Sequence, residues 1–376
     1  MIKVVHIITD LNQGGAEAIL YRLCASSHQI NFKHVVVSLK TRGVYADQFE
    51  DLGIKVYNLG ICWSKPNLYV FWDLYKLLKM LKPNVVQTWM YHSDLIGGLI
   101  SKLSGIKKIV WNIRGPLNKN NTSLSTNLVA KLCGILSWVI PSVILTCSEH
   151  AKKKHVVFGY NSKKIVVIPN GYTISIADVN ELGMQMNSKV QSRPFDIPLI
   201  GMVARYDPYK DHNTLLEALA VLKRQGITFH CLLVGDGLTW DNNLIVSSII
   251  QKGLKDFVTL EGPHKNVSQI FRKLNLHVLS SLDEAFPNVI AESMACGTPC
   301  VTTDAGDAAL IIGNTGWVVP VSDPIALANA INLAFSEMKE RKWLLRQKNC
   351  INRIRENFSL DVMTKKYEDI WSMKID

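Results

Sequence analysis

The chain has 376 residues, 48% hydrophobic and 19% charged: too long and apolar for a disordered segment, and long enough for two globular domains. Its net charge of +11 is one-sided, since residues 1–190 hold 22 Lys and Arg against 10 Asp and Glu while residues 191–376 hold 20 against 21. A basic first half suits nucleic acid, an anionic membrane or a phosphorylated ligand, and the lack of zinc-knuckle spacing, an RNP-like strand or a long Lys/Arg run argues against nucleic acid.

In chain order, Lys3–Thr9 is a largely β-branched run of the kind buried on both faces in parallel sheets. A polar turn with Gly14 and Gly15 follows, then apolar residues at helical spacing over Ala16–Ser27. The rhythm continues: strand Val35–Leu39, helix Val44–Leu52, strand Lys55–Leu59, helix Val70–Leu81, strand Val85–Thr88, helix Leu95–Ser104 and strand Lys108–Asn112. Strands Ser142–Thr146 and Ile165–Pro169 close the half. Residues 128–147 are nearly all apolar, but Lys131 and Pro141 interrupt them, so a buried helix followed by a buried strand is expected, with a helix lying on a membrane surface as the alternative, rather than a membrane span. Lys152–Lys154 is expected to be a solvated helix face.

Residues 175–198, with two prolines, break the rhythm and are expected to connect the domains. The second half restarts it with strand Leu199–Ala204, helix Asp211–Gln225, strand His230–Val234, helix Asn242–Lys252, strand Val258–Leu260 and helix Val267–Leu274. Strand Leu276–Ser280, helix Val289–Cys296, strands Cys300–Thr303 and Gly316–Val319, and helix Ala326–Lys339 follow. A last amphipathic helix, about Leu360–Lys374, has no strand of its own. Such alternation predicts two α/β domains, each a doubly wound parallel sheet. Eight cysteines without a C-x-x-C pair read as reduced thiols of a cytosolic protein, and the N-terminus does not read as a secretory signal.

Ligands of such sheets bind beyond the C-terminal strand ends. The first half offers Gly14-Gly15, Trp89–His92 with Asp94, Arg114-Gly115 and Asn170-Gly171. The second offers Arg205, Lys210, Gly235-Asp236-Gly237, Gly262-Pro263 and the block Asp283–Glu292. In that block Pro287 suits a helix start, whose N–H groups can seat a phosphate or carboxylate. Glu292 lies one to two turns inside, where it can accept sugar hydroxyl bonds, and Glu284 approaches from the loop. Arg205 and Lys210 can offset the charge. No Asp-x-Asp occurs to carry a metal-bridged diphosphate, so neutralisation is expected to rest on these cations and helix starts, with no metal. Gly14-Gly15 lacks G-x-G-x-x-G spacing, and the second strand has no terminal acid for an adenosine ribose. The pair is expected either to approach a diphosphate or to form a simple tight turn.

Together these residues resemble the retaining nucleotide-sugar glycosyltransferases of family 4, with the GT-B fold. The resemblance rests on Gly14–Glu17, Ile168–Gly171, Gly201–Arg205 with Lys210-Asp211, Val234–Gly237, Ser281–Glu284 through Glu292–Pro299, and Gly316 with Val318 and Pro320. It implies two facing Rossmann-like domains: residues 1–185 binding acceptor, 186–358 binding donor, and a crossover helix at 359–376 packing on the first domain. It implies Arg205 and Lys210 on the donor diphosphate, Glu292 on the ribose, Glu284 on the donor sugar and Phe286, Pro287, Asn288 and Val289 along the sugar and phosphate. Gly14 and Gly15 should meet the diphosphate from the first domain, with Gly235 and Pro263 completing the donor set. Arg114-Gly115 stands where many members carry a histidine, so His92 is the alternative, and Thr173 stands where many carry Asp.

The Trp89–Asp94 run resembles a bacterial subset. The resemblance thus implies transfer from a nucleoside-diphosphate sugar, UDP-linked, to a polyprenyl-diphosphate-linked glycan of O-antigen or capsule. The acceptor would lie at the anionic inner face of the plasma membrane, with Leu124–Ile140 and Lys152–Lys154 as candidate membrane contacts. A nucleotide-sugar epimerase of the same architecture and a non-catalytic nucleotide-sugar-binding protein are the alternatives.

Overall fold

A computed structural model describes residues 1–12, 14–27, 31–61, 69–115, 124–175 and 197–374. Most of the expected connection at 175–198 lies outside them. The chain divides into two compact units, Met1–Gly171 with Leu360–Asp376, and Tyr172–Ser359.

The first unit runs β1 (Ile2–Ile8), α1 (Gly15–Ser27), β2 (Phe32–Ser38), α2 (Tyr45–Asp51), β3 (Lys55–Asn58), α3 (Tyr69–Leu81), β4 (Val85–Trp89) and α4 (Tyr91–Leu103). Then come β5 (Ile109–Ile113), α5 (Leu124–Leu136), β6 (Val143–Thr146), α6 (Glu149–Val157) and β7 (Ile165–Val167). Its seven strands are ordered β3-β2-β1-β4-β5-β6-β7, all parallel. Strands such as Val85–Trp89 are buried throughout, because helices cover both sheet faces. One face packs against α1 and α2 residues such as Leu20 and Phe49, the other against Leu74, Leu78, Ala130 and Cys133 of α3 and α5.

In the second unit β8 (Leu199–Val203), α7 (His212–Arg224), β9 (His230–Val234), α8 (Asn243–Gln251), β10 (Val258–Gly262), α9 (Val267–Lys273) and β11 (Leu276–Leu279) come first. They are followed by α10 (Asn288–Ala295), β12 (Cys300–Thr303), α11 (Ala308–Ile312), β13 (Trp317–Val319), α12 (Pro324–Met338) and α13 (Lys342–Asn357). Its parallel sheet is ordered β10-β9-β8-β11-β12-β13. The order reverses between β1 and β4 in one sheet and between β8 and β11 in the other, and such a reversal opens a crevice at the strand ends.

The last helix, α14 (Leu360–Ser372), belongs to the first unit and packs on α1. Its Met363, Tyr367, Ile370 and Trp371 are buried, which accounts for an amphipathic helix with no strand of its own. Trp371 Nε1 donates to Gln87 Oε1 at 2.7 Å, and its indole meets the buried His6 and His34 edge-on.

Two expectations need correction. The helix within 128–147 is not buried: Leu124, Leu128 and Ile135 are 90%, 61% and 64% exposed, and only Ala130, Cys133 and Gly134 of α5 are buried. Small residues let this helix lie close on the sheet, with Val129 and Leu136 packed partly on the core, while Leu124, Leu128, Leu132 and Ile135 point away. The first turn of α4 begins at Tyr91, so His92 and Asp94 lie in a helix rather than the loop expected before Leu95.

Candidate functional site

The second-unit candidates gather at the β8–β11 reversal. After β8 the chain enters a 3-10 turn, Pro208–Lys210, started by Asp207, whose side chain accepts the Tyr209 N–H at 2.9 Å. Asp211, at φ 47°, ends that turn and caps α7, accepting from the Thr214 N–H. After β11, Ser280 Oγ lies 3.1 and 2.8 Å from the Lys210 and Asp211 carbonyls, and the Leu282 N–H donates to the Tyr209 carbonyl at 2.8 Å. Two loops distant in sequence are thus stitched together, and this fixes where Lys210 and Glu284 meet.

The Lys210 ammonium and Glu284 carboxylate are ion-paired, with side chains 22% and 14% exposed. Ser281 Oγ donates to the same Glu284 Oε1 at 2.7 Å. Arg205 is more exposed and bonds the carboxylate of Asp207 through Nε at 2.9 Å and a terminal nitrogen at 2.8 Å. The two expected cations therefore have different acidic partners, and only Lys210 sits on Glu284.

Downstream of Glu284, Ala285, Phe286 and Pro287 are buried, and α10 starts at Asn288 with Pro287 as its cap. No side chain caps this start, so its N–H groups and positive helix end suit an anion. Tyr172 supports it: its hydroxyl donates to Asn288 Oδ1 at 2.5 Å, and its ring stacks on Phe286 at 6.4 Å. Glu292 is half-buried one turn into α10. Gly235, at φ 150°, lies against the Ala204 backbone, where a Cβ would sit 2.1 Å from the carbonyl oxygen. Its N–H donates to the Gly262 carbonyl at 2.8 Å, tying together the ends of β8, β9 and β10. Pro263 follows, exposed.

In the first unit, Gly15 opens α1, with Gly14 just before it. The end of β1 is joined to α4 by Thr9 Oγ1 and Ser93 Oγ, 3.1 Å apart. His92 is half-buried beside them, its imidazole held below its ordinary pKa by burial and by Lys40. Asp94 is fully buried against Thr88 Oγ1 at 2.5 Å, and burial raises its carboxyl to about 8.

Arg114, in the place of the family histidine, is committed elsewhere. It donates to Tyr367 Oη at 2.8 Å and to Asn170 Oδ1, with its guanidinium over the Trp89 ring. Asn112 Nδ2 donates to the same Tyr367 hydroxyl at 3.0 Å. The charge at this position ties α14 to the ends of β4 and β5.

Sequence spacing gave no cue to Tyr172, Asp207 or Ser280, and Ser281 entered only as the first residue of a motif, without a role. Nor did it show the metal-type cluster His6, Cys24 and His34 in the first-unit core. There His6 Nε2 and His34 Nδ1 lie 3.0 Å apart, His34 Nε2 meets Ser27 Oγ at 2.7 Å, and Trp89 donates to His6 Nδ1 at 3.3 Å. A chain of hydrogen bonds thus uses all four ring nitrogens.

Residues 13–175 match the family model described as Glycosyltransferase Family 4, and residues 197–337 match Glycosyl transferases group 1. The chain belongs to glycosyltransferase family 4 and has the GT-B fold. It is 25% identical over 313 residues to the UDP-Gal:alpha-D-GlcNAc-diphosphoundecaprenol alpha-1,3-galactosyltransferase of Escherichia coli, covering 80% of this chain and 78% of that one. With the capsular polysaccharide biosynthesis glycosyltransferase CapM of Staphylococcus aureus it is 23% identical over 323 residues, 82% and 83% of the two chains. The crystal structure of Anabaena Alr3699/HepE in complex with UDP superposes with a TM-score of 0.81 at 20% identity, over 99% of this chain and 100% of that one.

Proposed function

We propose that the protein transfers a hexosyl or N-acetylhexosaminyl group from a UDP-sugar, with retention, to a hydroxyl of a polyprenyl-diphosphate-linked glycan. The product would be a surface polysaccharide of the O-antigen or capsule type, assembled in the cytoplasm at the inner face of the plasma membrane. The relatives' names support the pathway class, one of them naming a UDP-sugar donor and a diphosphoundecaprenol acceptor. The observation that carries the reading is the Lys210–Glu284 pair beside a helix start that no side chain caps.

On this reading Lys210 and the α10 N-terminus hold the donor diphosphate and stabilise the charge that develops as it leaves, with Arg205 as the second cation. Glu284 bonds donor-sugar hydroxyls, and the ammonium it shares with the diphosphate offsets its charge. Glu292 holds the ribose, main-chain groups at Phe286–Val289 line the sugar and phosphate, and Gly235 and Pro263 flank the nucleotide. Gly14, Gly15 and His92 act from the first unit. With no side chain assigned as a covalent nucleophile, the acceptor hydroxyl attacks from the face the diphosphate leaves, and the departing phosphate oxygen takes its proton. Catalysis is then positioning and charge stabilisation, without a resident metal.

The test is mass spectrometry of UDP-sugars incubated with synthetic polyprenyl-diphosphate acceptors. A glycan product one sugar longer, with UDP released, supports the reading. Conversion of the nucleotide sugar without acceptor, or tight UDP-sugar binding with no turnover, overturns it.

A further inference from the structure

The face of the first sheet opposite α1 is covered by α3, α4 and α5, packed side by side with α4 in the middle. Their inner residues, Leu74, Leu77, Leu78, Tyr91, Ala130 and Cys133, fill the core. Their outer surfaces are unusually apolar. On α5, Leu124, Leu128, Leu132 and Ile135 are exposed at helical spacing, and Trp138 and Val139 just beyond are 62% and 66% exposed. On α4, Leu103 is 69% exposed. On α3, Tyr69, Trp72 and Met80 are 76%, 54% and 64% exposed. An outward apolar layer spanning three adjacent helices exceeds the scattered exposed leucines of an ordinary surface.

Charge selects the occupant. The exposed basic residues of these helices are Lys76, Lys79, Lys102 and Lys131, and the one exposed acid is Asp73. Between Asp94 and Glu149 the sequence contains no acid and six basic residues. Lys76 lies 5.5 Å from the Trp72 ring and Lys79 5.7 Å from the Tyr75 ring, with the two rings stacked. Trp138 keeps its indole N–H on the Gly159 carbonyl at 3.2 Å while the rest of the side chain is exposed. Lysines with long stems among exposed indole, phenol and leucine side chains suit the headgroup region of an anionic bilayer. No helix among the described residues is long and apolar enough to cross a membrane.

We propose that the outer face of α3, α4 and α5 docks flat on an anionic lipid bilayer, its apolar residues entering the headgroup boundary and its lysines meeting lipid phosphates. The inference deepens the proposed function and rests on it only for the identity of the membrane. It needs no covalent lipid and no spanning helix.

The test is flotation of the full chain with phosphatidylcholine vesicles containing about 30% phosphatidylglycerol, against pure phosphatidylcholine. Binding is expected to anionic vesicles alone and to weaken with salt. The Leu128→Glu/Ile135→Glu and Lys76→Glu/Lys131→Glu double variants should each float at least tenfold less, since one basic residue near such a surface changes partition by about fivefold. The exposed Leu244→Glu in the second unit is the control and should float like the wild type. Unchanged circular dichroism and Tm show that the variants fold, and transfer to a short water-soluble acceptor shows whether the proposed activity stands by itself. Transfer without vesicle binding overturns the docking surface alone; vesicle binding without transfer overturns the function alone. Anionic binding unaffected by both double variants also overturns the docking surface, as does a concentration-dependent dimer, abolished by Leu128→Glu/Ile135→Glu, that does not float.

Discussion

Lys210 and Glu284, 74 residues apart, share an ion pair that Ser281 extends and that both reversal-point loops hold in place. Replacing Lys210 by Ala should leave a folded protein whose kcat falls by about 10²–10³, the usual loss when a group stabilising a leaving charge is removed. Glu284→Ala should lose transfer as well, while Glu284→Gln, which can still bond Ser281 and sugar hydroxyls, should retain more. Steady-state kinetics with Tm measured in parallel checks this. Near-normal turnover in either alanine variant contradicts the assigned roles.

Gly306 holds the Glu284 loop from behind. Its φ is 62°, and a Cβ there would lie 2.2 Å from the Glu284 carbonyl oxygen. The left-handed backbone alone costs a non-glycine residue about 1–2 kcal/mol, and the clash adds to it by pushing on the loop. Gly306→Ala should therefore lower Tm by several degrees and weaken UDP binding by about tenfold. Thermal unfolding and titration calorimetry give the two readings.

Arg114 and Asn112 both donate to the Tyr367 hydroxyl. Tyr367→Phe leaves both donors short of a partner inside the first unit, at a cost of about 1–3 kcal/mol. Urea unfolding should show that loss in Tyr367→Phe and a comparable one in Arg114→Ala. The folded fraction of Arg114→Ala should keep kcat within about threefold of wild type. Unchanged stability with lost kcat would instead give Arg114 a role in the chemistry.

Buried titratable groups set opposite pH limbs. Burial holds His155 and His212 at about 4 and His277 at about 3, below the ordinary 6.5. Between about 6.5 and 4 the unfolded chain binds protons that the fold refuses, so stability falls as pH drops through that window. Asp94 runs the other way. Its carboxyl, raised from 3.8 to about 8, keeps its proton in the fold while the unfolded chain loses it, so this contribution declines as pH rises from about 4 to 8. In Asp94→Asn the rising-pH loss should flatten, with the Tm difference from wild type growing toward pH 8. Parallel Tm–pH curves for the two proteins contradict the assignment.

Apolar periodicity made both sheets legible, because parallel strands buried on two faces, such as Leu199–Val203, read as near-continuous hydrophobic runs. It was less useful for helices. Lys342–Asn357 passes unnoticed because only Trp343, Cys350, Ile351 and Ile354 of its sixteen residues are buried. The five residues of Ala308–Ile312 are too few to show a period. In α5 hydrophobicity misleads about burial, since Leu124, Leu128 and Leu132 face outward while the small residues Ala130, Cys133 and Gly134 face inward. At the site, residue type marks Lys210, Glu284 and Pro287. The partners that orient them, Ser280, Ser281, Asp207 and Tyr172, are common residues whose importance comes only from where the strand order reverses. Arg114 shows the converse: a strand-end cation suggests chemistry, and its hydrogen bonds show a structural tie.

The most direct measurement is the transfer rate in excess chelator, followed by NMR of the anomeric proton of the product for wild type and Lys210→Ala. The account predicts a wild-type rate indifferent to chelator, a product with the donor's anomeric configuration, and a rate about 10²–10³ lower in the variant. Activity abolished by chelator and restored by magnesium, an inverted anomer, or an unimpaired variant would contradict it.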